Sequence, residues 1–277
     1  MIACTKMNGN GNDFLVIDNM DLRYDSQTMT NFAVKLCRRR EAIGADGILV
    51  AEPSKRLDFK MRLFNRDGSE GEMCGNGSRC LARFAFEKGI VKSSAMTFET
   101  LGGDIRAHVN GRWAAIDLAP VPVKGVAVDA PASVGDYDFH YTFLNVGVPH
   151  AVIFEEKRRP DEEYRLLGKK IRNRRDLFPE GANVNFVVPR EGRDAGLDVT
   201  TYERGVEDLT LSCGTGSTAS AIAAMLIGIT GPKVDVYNPG GLNRVSLAFV
   251  NADTVQPELE GAMCMVAELQ ISEEALN

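Results

Sequence analysis

Histidine and tryptophan are scarce in this chain of 277 residues, which has three of the first and one of the second. His108, His140 and His150 lie far apart, and the six cysteines (Cys4, Cys37, Cys74, Cys80, Cys213 and Cys264) form no C-x-x-C. The ligand spacing of a structural zinc site is missing, so no metal is expected. No apolar run reaches the roughly 20 residues that cross a bilayer. The first residues, MIACTKMNGNGNDF, lack the basic-then-apolar order of a signal peptide. A cytoplasmic protein is expected, with its cysteines as thiols rather than a disulfide framework. A strong excess of charge is also absent: the formal net charge is -6, with Lys and Arg spread along the chain. Neither nucleic acid nor a membrane surface is expected as a partner.

Short apolar and alternating runs dominate what is present. Segments 14–18, 47–51, 59–64, 96–100, 105–109, 113–118, 151–154, 184–189, 197–202 and 244–250 read as strands. Helical patterns are fewer: 26–38, 77–88 and 216–227, with a shorter one at 164–172. Many strands with few helices give an α+β class rather than regular β-α-β alternation. The stretch 118–139 is rich in Pro, Gly, Val and Ala and has no helical period. It is read as the boundary between two halves. The expected domains are 1–118, to which a C-terminal segment of about 264–277 can return, and 119–263.

The halves resemble each other. Cys74-Gly75-Asn76-Gly77-Ser78 is followed by RCLARFAFEKG, and Cys213-Gly214-Thr215-Gly216-Ser217 by TASAIAAMLIG. Both read as Cys-Gly-x-Gly-Ser entering a helix. Gly11-Asn12-Asp13-Phe14 before LVID is matched by Gly147-Val148-Pro149-His150 before AVIF. Two pairs in the same order point to duplication of one unit.

A helix N-terminus carries N–H groups without intrahelical partners and a partial positive charge, and glycine lets a ligand approach the backbone. Such an end binds carboxylate or phosphate. A thiol beside it is expected to ionise below its ordinary value of about 8.5. Two such ends, each with its thiol, suit removal of a proton from one face of an α-carbon and return of a proton to the other. One sulfur is then thiolate and the other thiol, and fixed dipoles around the carboxylate stabilise the carbanion without pyridoxal phosphate or any other cofactor. Three other readings stay open. The glycine loops could bind phosphate, although no G-x-x-x-x-G-K-[ST] occurs; the cysteines could pair; or they could be packing residues. Cys4, Cys37 and Cys264 are read as packing residues, and Cys80 as facing away from the start of its helix.

The segments KMNGNGNDFLVIDN, IGADGILV, FNRDGSEGEMCGNGSRCLARF, VGVPHAVIF, LGKKIRNRRDLFPEGANVNFVV and YERGVEDLTLSCGTGSTASAIA run in the order of the diaminopimelate epimerase family, which the chain resembles along nearly its whole length. The resemblance implies two pseudo-symmetric domains, each a mixed β-sheet wrapped around a central helix. It implies Cys74 and Cys213 as the proton-transfer pair, supported by His150 and Glu203. It implies substrate contacts at Asn12, Asn65, Asn183, Glu203 and Arg204 and at the backbone of Gly75, Asn76, Gly214 and Thr215, and a homodimer. The activity implied is conversion of LL- to meso-diaminopimelate, in lysine and peptidoglycan precursor synthesis. The family has asparagine where this chain has Val148, and Met-His-Gly-Leu-Gly-Asn where it has Met7-Asn8-Gly9-Asn10-Gly11-Asn12. Two alternatives follow: a racemase of another amino acid using the same thiols, or an isomerase or binding protein on this fold without thiol chemistry.

Overall fold

The computed structural model describes residues 1–192 and 195–276. Contacts part the chain into two units: Met1–Asp117 with Glu260–Asn277, and Leu118–Leu259.

In the first unit, β1 (Ile2–Gly9) and β2 (Asn12–Asp18) form an antiparallel hairpin. Asn10 and Gly11 turn it with φ of 53° and 88°, the two positive values that a type I′ turn requires. Helix α1 (Ser26–Leu36), capped by the Asp25 side chain on the Thr28 N–H at 2.8 Å, crosses to β3 (Gly47–Glu52), parallel to β2. Next come β4 (Phe59–Asn65), antiparallel to β3, and the two-residue β5 (Glu70–Gly71). Helix α2 (Gly75–Glu87) leads to β6 (Ala95–Thr100), parallel to β4, then to antiparallel β7 (Gly103–Asn110) and β8 (Trp113–Asp117). The end of the chain's final strand, Thr254–Ile271, pairs with β1 from Ile2↔Ile271 to Gly9↔Met263.

The second unit opens with β9 (Val121–Pro122), paired with the start of that final strand, and with the hairpin of β10 (Ala130–Val134) and β11 (Tyr137–Asn145). From there the topology of the first unit repeats. β11 is antiparallel to β12 (Pro149–Phe154), and α3 (Asp161–Arg172) crosses to parallel β13 (Asn183–Arg190). β14 (Gly196–Glu203) and β15 (Asp208–Thr210) follow antiparallel, and α4 (Gly214–Leu226) leads to β16 (Lys233–Asn238), parallel to β14, and antiparallel β17 (Gly241–Asn251). The final strand is β18. Elements β1–β7 with α1 and α2 thus match β11–β17 with α3 and α4, pairing sense for pairing sense, as the duplication in the sequence implies.

Each unit lays its mixed sheet between two helices. α1 packs Met29, Phe32, Ala33 and Leu36 on Leu15, Ile17, Ile48 and Val50; α3 packs Tyr164 and Ile171 on Ile153, Val184 and Phe186. The central helices α2 and α4 take the other face. They are buried on nearly every side, which explains the small and apolar residues of α4. β3 is buried at all six positions, as a strand covered on both faces must be. Among the described residues no helix is long and apolar enough to cross a membrane.

The stretch 118–139 holds β9, β10 and the start of β11. Its prolines hide short edge strands, where a missing N–H costs no ladder bond. Cys264 is exposed rather than packed, whereas Cys4 and Cys37 are buried and burial pushes their thiols up to about 11 and about 12.

Candidate active site

Cys74 is the N-cap of α2, with extended φ and ψ of -137° and 122°. The helix begins at Gly75, two residues earlier than its apolar period suggests, because glycine carries no side chain to mark the period. The Cys74 carbonyl accepts from the Ser78 N–H at 2.7 Å. The N–H groups of Gly75 and Asn76 precede the helical ladder and point out of the helix end. The Cys74 Sγ donates to Asn12 Oδ1 at 3.5 Å. Asn12 Nδ2 in turn donates to Asp46 Oδ2 at 2.7 Å. A carboxylate only accepts, so the Asn12 amide is committed and Cys74 is the donor, a protonated thiol.

Asp46 is held in place. Arg39 donates to it at 2.9 Å, and it accepts the Asp13 N–H at 3.1 Å. Asp13 accepts from Arg39 at 2.5 Å and from Lys6 at 2.5 Å. Partial burial pushes the Asp13 carboxyl up, but Arg39 and Lys6 outweigh it and hold the group below its ordinary value. Asn65 ends β4, and its Nδ2 donates to Ser69 Oγ at 3.0 Å across the β4–β5 turn. Asn76 is buried and accepts from the Nη2 of Arg79, which is itself fully enclosed. Burial pulls the Arg79 guanidinium down to about 10 against the opposing pull of Cys80, Cys74 and Glu260. Cys80 is buried against Met263, and burial pushes its thiol up to about 12.

Cys213 occupies the same place in the second unit, as the N-cap of α4, with φ and ψ of -114° and 112°. Its sulfur is an acceptor: the Gly216 N–H donates to Sγ at 3.3 Å, and Thr215 Oγ1 lies 3.4 Å away. An N–H aimed at sulfur from a helix start suits a thiolate. Within its own unit, the Cys74 sulfur is therefore a donor and the Cys213 sulfur an acceptor.

His150 lies near the start of β12 and is wholly buried. Burial pushes its imidazole from the ordinary 6.5 down to about 3, against a hydrogen bond to Asn185 and with the help of the Arg204 charge. It is neutral at physiological pH. Glu203 ends β14, and burial raises its carboxyl above the ordinary value. Asn183 accepts the Arg204 N–H at 2.7 Å and donates to the Pro149 carbonyl at 3.3 Å. It thereby ties the β11–β12 turn to the end of β14. Arg204 Nη1 reaches the Glu180 carbonyl at 3.3 Å. Val148 sits half-buried in that turn, where its own carbonyl accepts the Val146 N–H at 3.0 Å.

The structure gathers Asn12, Asn76 and Cys74 around the start of α2. It gathers Cys213 and Thr215 at the start of α4, and His150, Asn183, Glu203 and Arg204 at the adjoining strand ends. Several residues of these networks are not singled out by the sequence: Lys6, Arg39 and Asp46 behind Asn12, and Asn185 and Thr201 behind His150. A signal existed for one of them, Asn185. Asn183 and Asn185 alternate with apolar residues in NVNF, which puts two amides on one face of a buried strand.

A family model for diaminopimelate epimerase matches residues 4–119 and 142–258. The diaminopimelate epimerase of Caldanaerobacter subterraneus subsp. tengcongensis is 40% identical over 271 residues, covering 92% of this chain and 96% of the relative. Among solved structures, a probable proline racemase from Agrobacterium radiobacter K84 superposes with a TM-score of 0.70 at 15% identity, over 99% of this chain and 93% of its own. A Bacillus anthracis phenazine biosynthesis protein of the PhzF family gives 0.71 at 15% identity, over 98% and 99%. These two share the fold. With the cysteine-capped central helix present in both units and the family match running through both, the chain belongs to the diaminopimelate epimerase family.

Proposed function

We propose that this protein converts LL-2,6-diaminopimelate to the meso form by two-base proton transfer at one α-carbon, in the cytoplasm, as a step of lysine and peptidoglycan precursor synthesis. The observation that carries the reading is the cysteine N-cap of each central helix, Cys74 on α2 and Cys213 on α4. A thiolate takes the α-proton, the carbanion forms, and the opposite thiol gives its own proton to the other face. The sulfurs end with exchanged protonation, so the reverse reaction uses the same groups. The donor–acceptor asymmetry of the two sulfurs supports Cys213 as base and Cys74 as acid in the resting enzyme.

The substrate carboxylate next to the reacting carbon fits the N–H groups of Gly75 and Asn76 and of Gly214 and Thr215, where the helix dipoles favour negative charge. The same donors stabilise the charge that develops in the carbanion. Arg204 offers a bidentate fork for the distal carboxylate, with Asn65, Asn183 and Glu203 as further polar contacts. His150, which is neutral, and Glu203 support the thiols. Incubation of the protein with LL-diaminopimelate in deuterated water gives meso product carrying one α-deuterium on this reading. Absence of both exchange and meso product would overturn it.

One observation favours a second reading, racemisation of a different amino acid. Val148 stands where the family has an asparagine, and its side chain neither donates nor accepts. A lost hydrogen bond to a charged group costs about 1.5–3 kcal/mol. The variant Val148→Asn therefore lowers KM for diaminopimelate roughly tenfold or more if diaminopimelate is the substrate. An unchanged KM, together with faster exchange on another amino acid, supports the second reading.

A further inference from the structure

The two central helices start over different floors. Beneath Gly77 of α2 lie Leu49 and Met61, with Leu49 paired to Leu63 across β3 and β4. Beneath Gly216 of α4 lie Asn185 and Thr201, paired across β13 and β14. The strand registers make Phe14, Leu49 and Leu63 the counterparts of His150, Asn185 and Thr201. One unit has an apolar triad and the other a polar one. All three polar residues are buried, at 0%, 0% and 2% exposure, so the exchange requires a fully satisfied network or a purpose for what is unsatisfied.

The network fixes its own proton positions. Asn185 Nδ2 lies 3.3 Å from the Ala151 carbonyl, a group that only accepts, so this end of the amide is its NH2. Thr201 Oγ1 donates to Asn185 Oδ1 at 2.9 Å, which agrees. The same NH2 faces His150 Nδ1 at 3.1 Å, so Nδ1 accepts. A neutral imidazole that accepts at Nδ1 carries its proton on Nε2. The Nε2 atom is buried and finds no hydrogen-bond partner among the described residues.

We propose that Asn185, braced by Thr201, is a positioning residue that holds His150 as the Nε2–H tautomer, with its buried donor reserved for an anionic acceptor of the reacting complex. Asn185 also touches the helix that carries Cys213. A Cβ on Gly216 would strike Asn185 Oδ1 while lying 3.1 Å from the Cys213 Cβ, so one amide sets both the ring and the start of α4. A histidine free to take the other tautomer would turn a lone pair toward that acceptor instead of an N–H. The inference rests on the proposed epimerase reading for its kinetic part only.

The test has a ligand-free arm and a kinetic arm. In 15N-labelled full-length protein, proton–nitrogen couplings of the His150 ring, assigned by loss in His150→Gln, report the tautomer. Wild type is expected to show Nε2–H. Asn185→Asp, which can only accept at neutral pH, is expected to place a proton on Nδ1. Its kcat on LL-diaminopimelate is expected to fall about tenfold or more, by analogy with the loss of the partner that orients a metal-ligating histidine, with KM within threefold. If Asn185→Asp does not fold, Thr201→Val, which removes the brace, is expected to give mixed tautomers and a smaller fall in kcat. An Nδ1–H tautomer in wild type overturns the inference, as does wild-type kcat in a variant whose tautomer has changed. Failure of the parent protein to epimerise diaminopimelate counts against the functional reading alone, because the tautomer is read without substrate.

Discussion

His150 makes the stability of the second unit sensitive to acid, and the size of the effect follows from its burial. Its imidazole is held at about 3 in the folded chain and returns to about 6.5 when the chain unfolds. Between those values the unfolded state binds a proton that the native state refuses, so stability falls as the pH drops through 6.5. At pH 7.5 the effect is negligible. At pH 5 it amounts to about 2 kcal/mol. The window avoids Asp13, whose depressed carboxyl contributes stability that is lost only as the pH falls through 3.8 and below. Glu203, with its raised carboxyl, acts in the opposite sense: the native state holds its proton more readily, so its contribution fades as pH rises. Comparing wild type with His150→Gln cancels that term, because Glu203 is present in both. The assay is urea unfolding at pH 7.5 and pH 5 for the two proteins. His150→Gln is expected to be the less stable at pH 7.5, and the gap is expected to narrow by about 2 kcal/mol at pH 5. A gap independent of pH would refute the claim that His150 is buried and neutral.

The two helix starts predict unequal tolerance of a methyl group. In Gly77→Ala the new Cβ meets the flexible end of Leu49 at 3.0 Å, and about 1 kcal/mol of helix propensity offsets the crowding, leaving stability nearly unchanged. In Gly216→Ala it strikes the braced Asn185 amide, so a net loss of about 1–3 kcal/mol is expected by thermal unfolding; equal effects at the two sites would contradict the assigned floors. Asp46→Asn frees the Asn12 amide to flip, which removes the obligation on Cys74 to donate. Alkylation of Cys74 by iodoacetamide at pH 7.5 is then expected to quicken severalfold, followed by peptide mass spectrometry, and an unchanged rate would show that Asp46 does not control the thiol.

Much of this fold was legible in the sequence. The central strands and α1, α2 and α3 show clear apolar patterns, since burial on one or both faces leaves that mark, and α4 shows as a run of small and apolar residues. The repeated Cys-Gly-x-Gly-Ser exposes the duplication because a helix start with close backbone approach tolerates few other residues. β1 was hidden, since Thr5 and Lys6 interrupt its apolar pattern and Lys6 is spent on an ion pair with Asp13. The Asn10-Gly11 dipeptide was the available signal for its hairpin. β18 leaves no clear strand pattern in the sequence because Pro257, Gly261 and scattered glutamates break its alternation over 18 residues. The supporting partners of the site are illegible for a different reason. Asp46 and Arg39 are ordinary residue types that gain a role only from what the folded chain sets beside them, Asn12 and Asp13.

The two-thiol mechanism is the central claim, and the isotopic content of substrate and product at early conversion tests it most directly. With LL-diaminopimelate in deuterated water and conversion held to a few per cent, the account predicts meso product carrying solvent deuterium at the inverted carbon and recovered substrate still carrying protium. One sulfur removes the original hydrogen, and a different sulfur, already exchanged with solvent, supplies the new one. Cys74→Ser and Cys213→Ser should each nearly abolish inversion. Product retaining the substrate's own hydrogen, or full inversion rate in either serine variant, would contradict it.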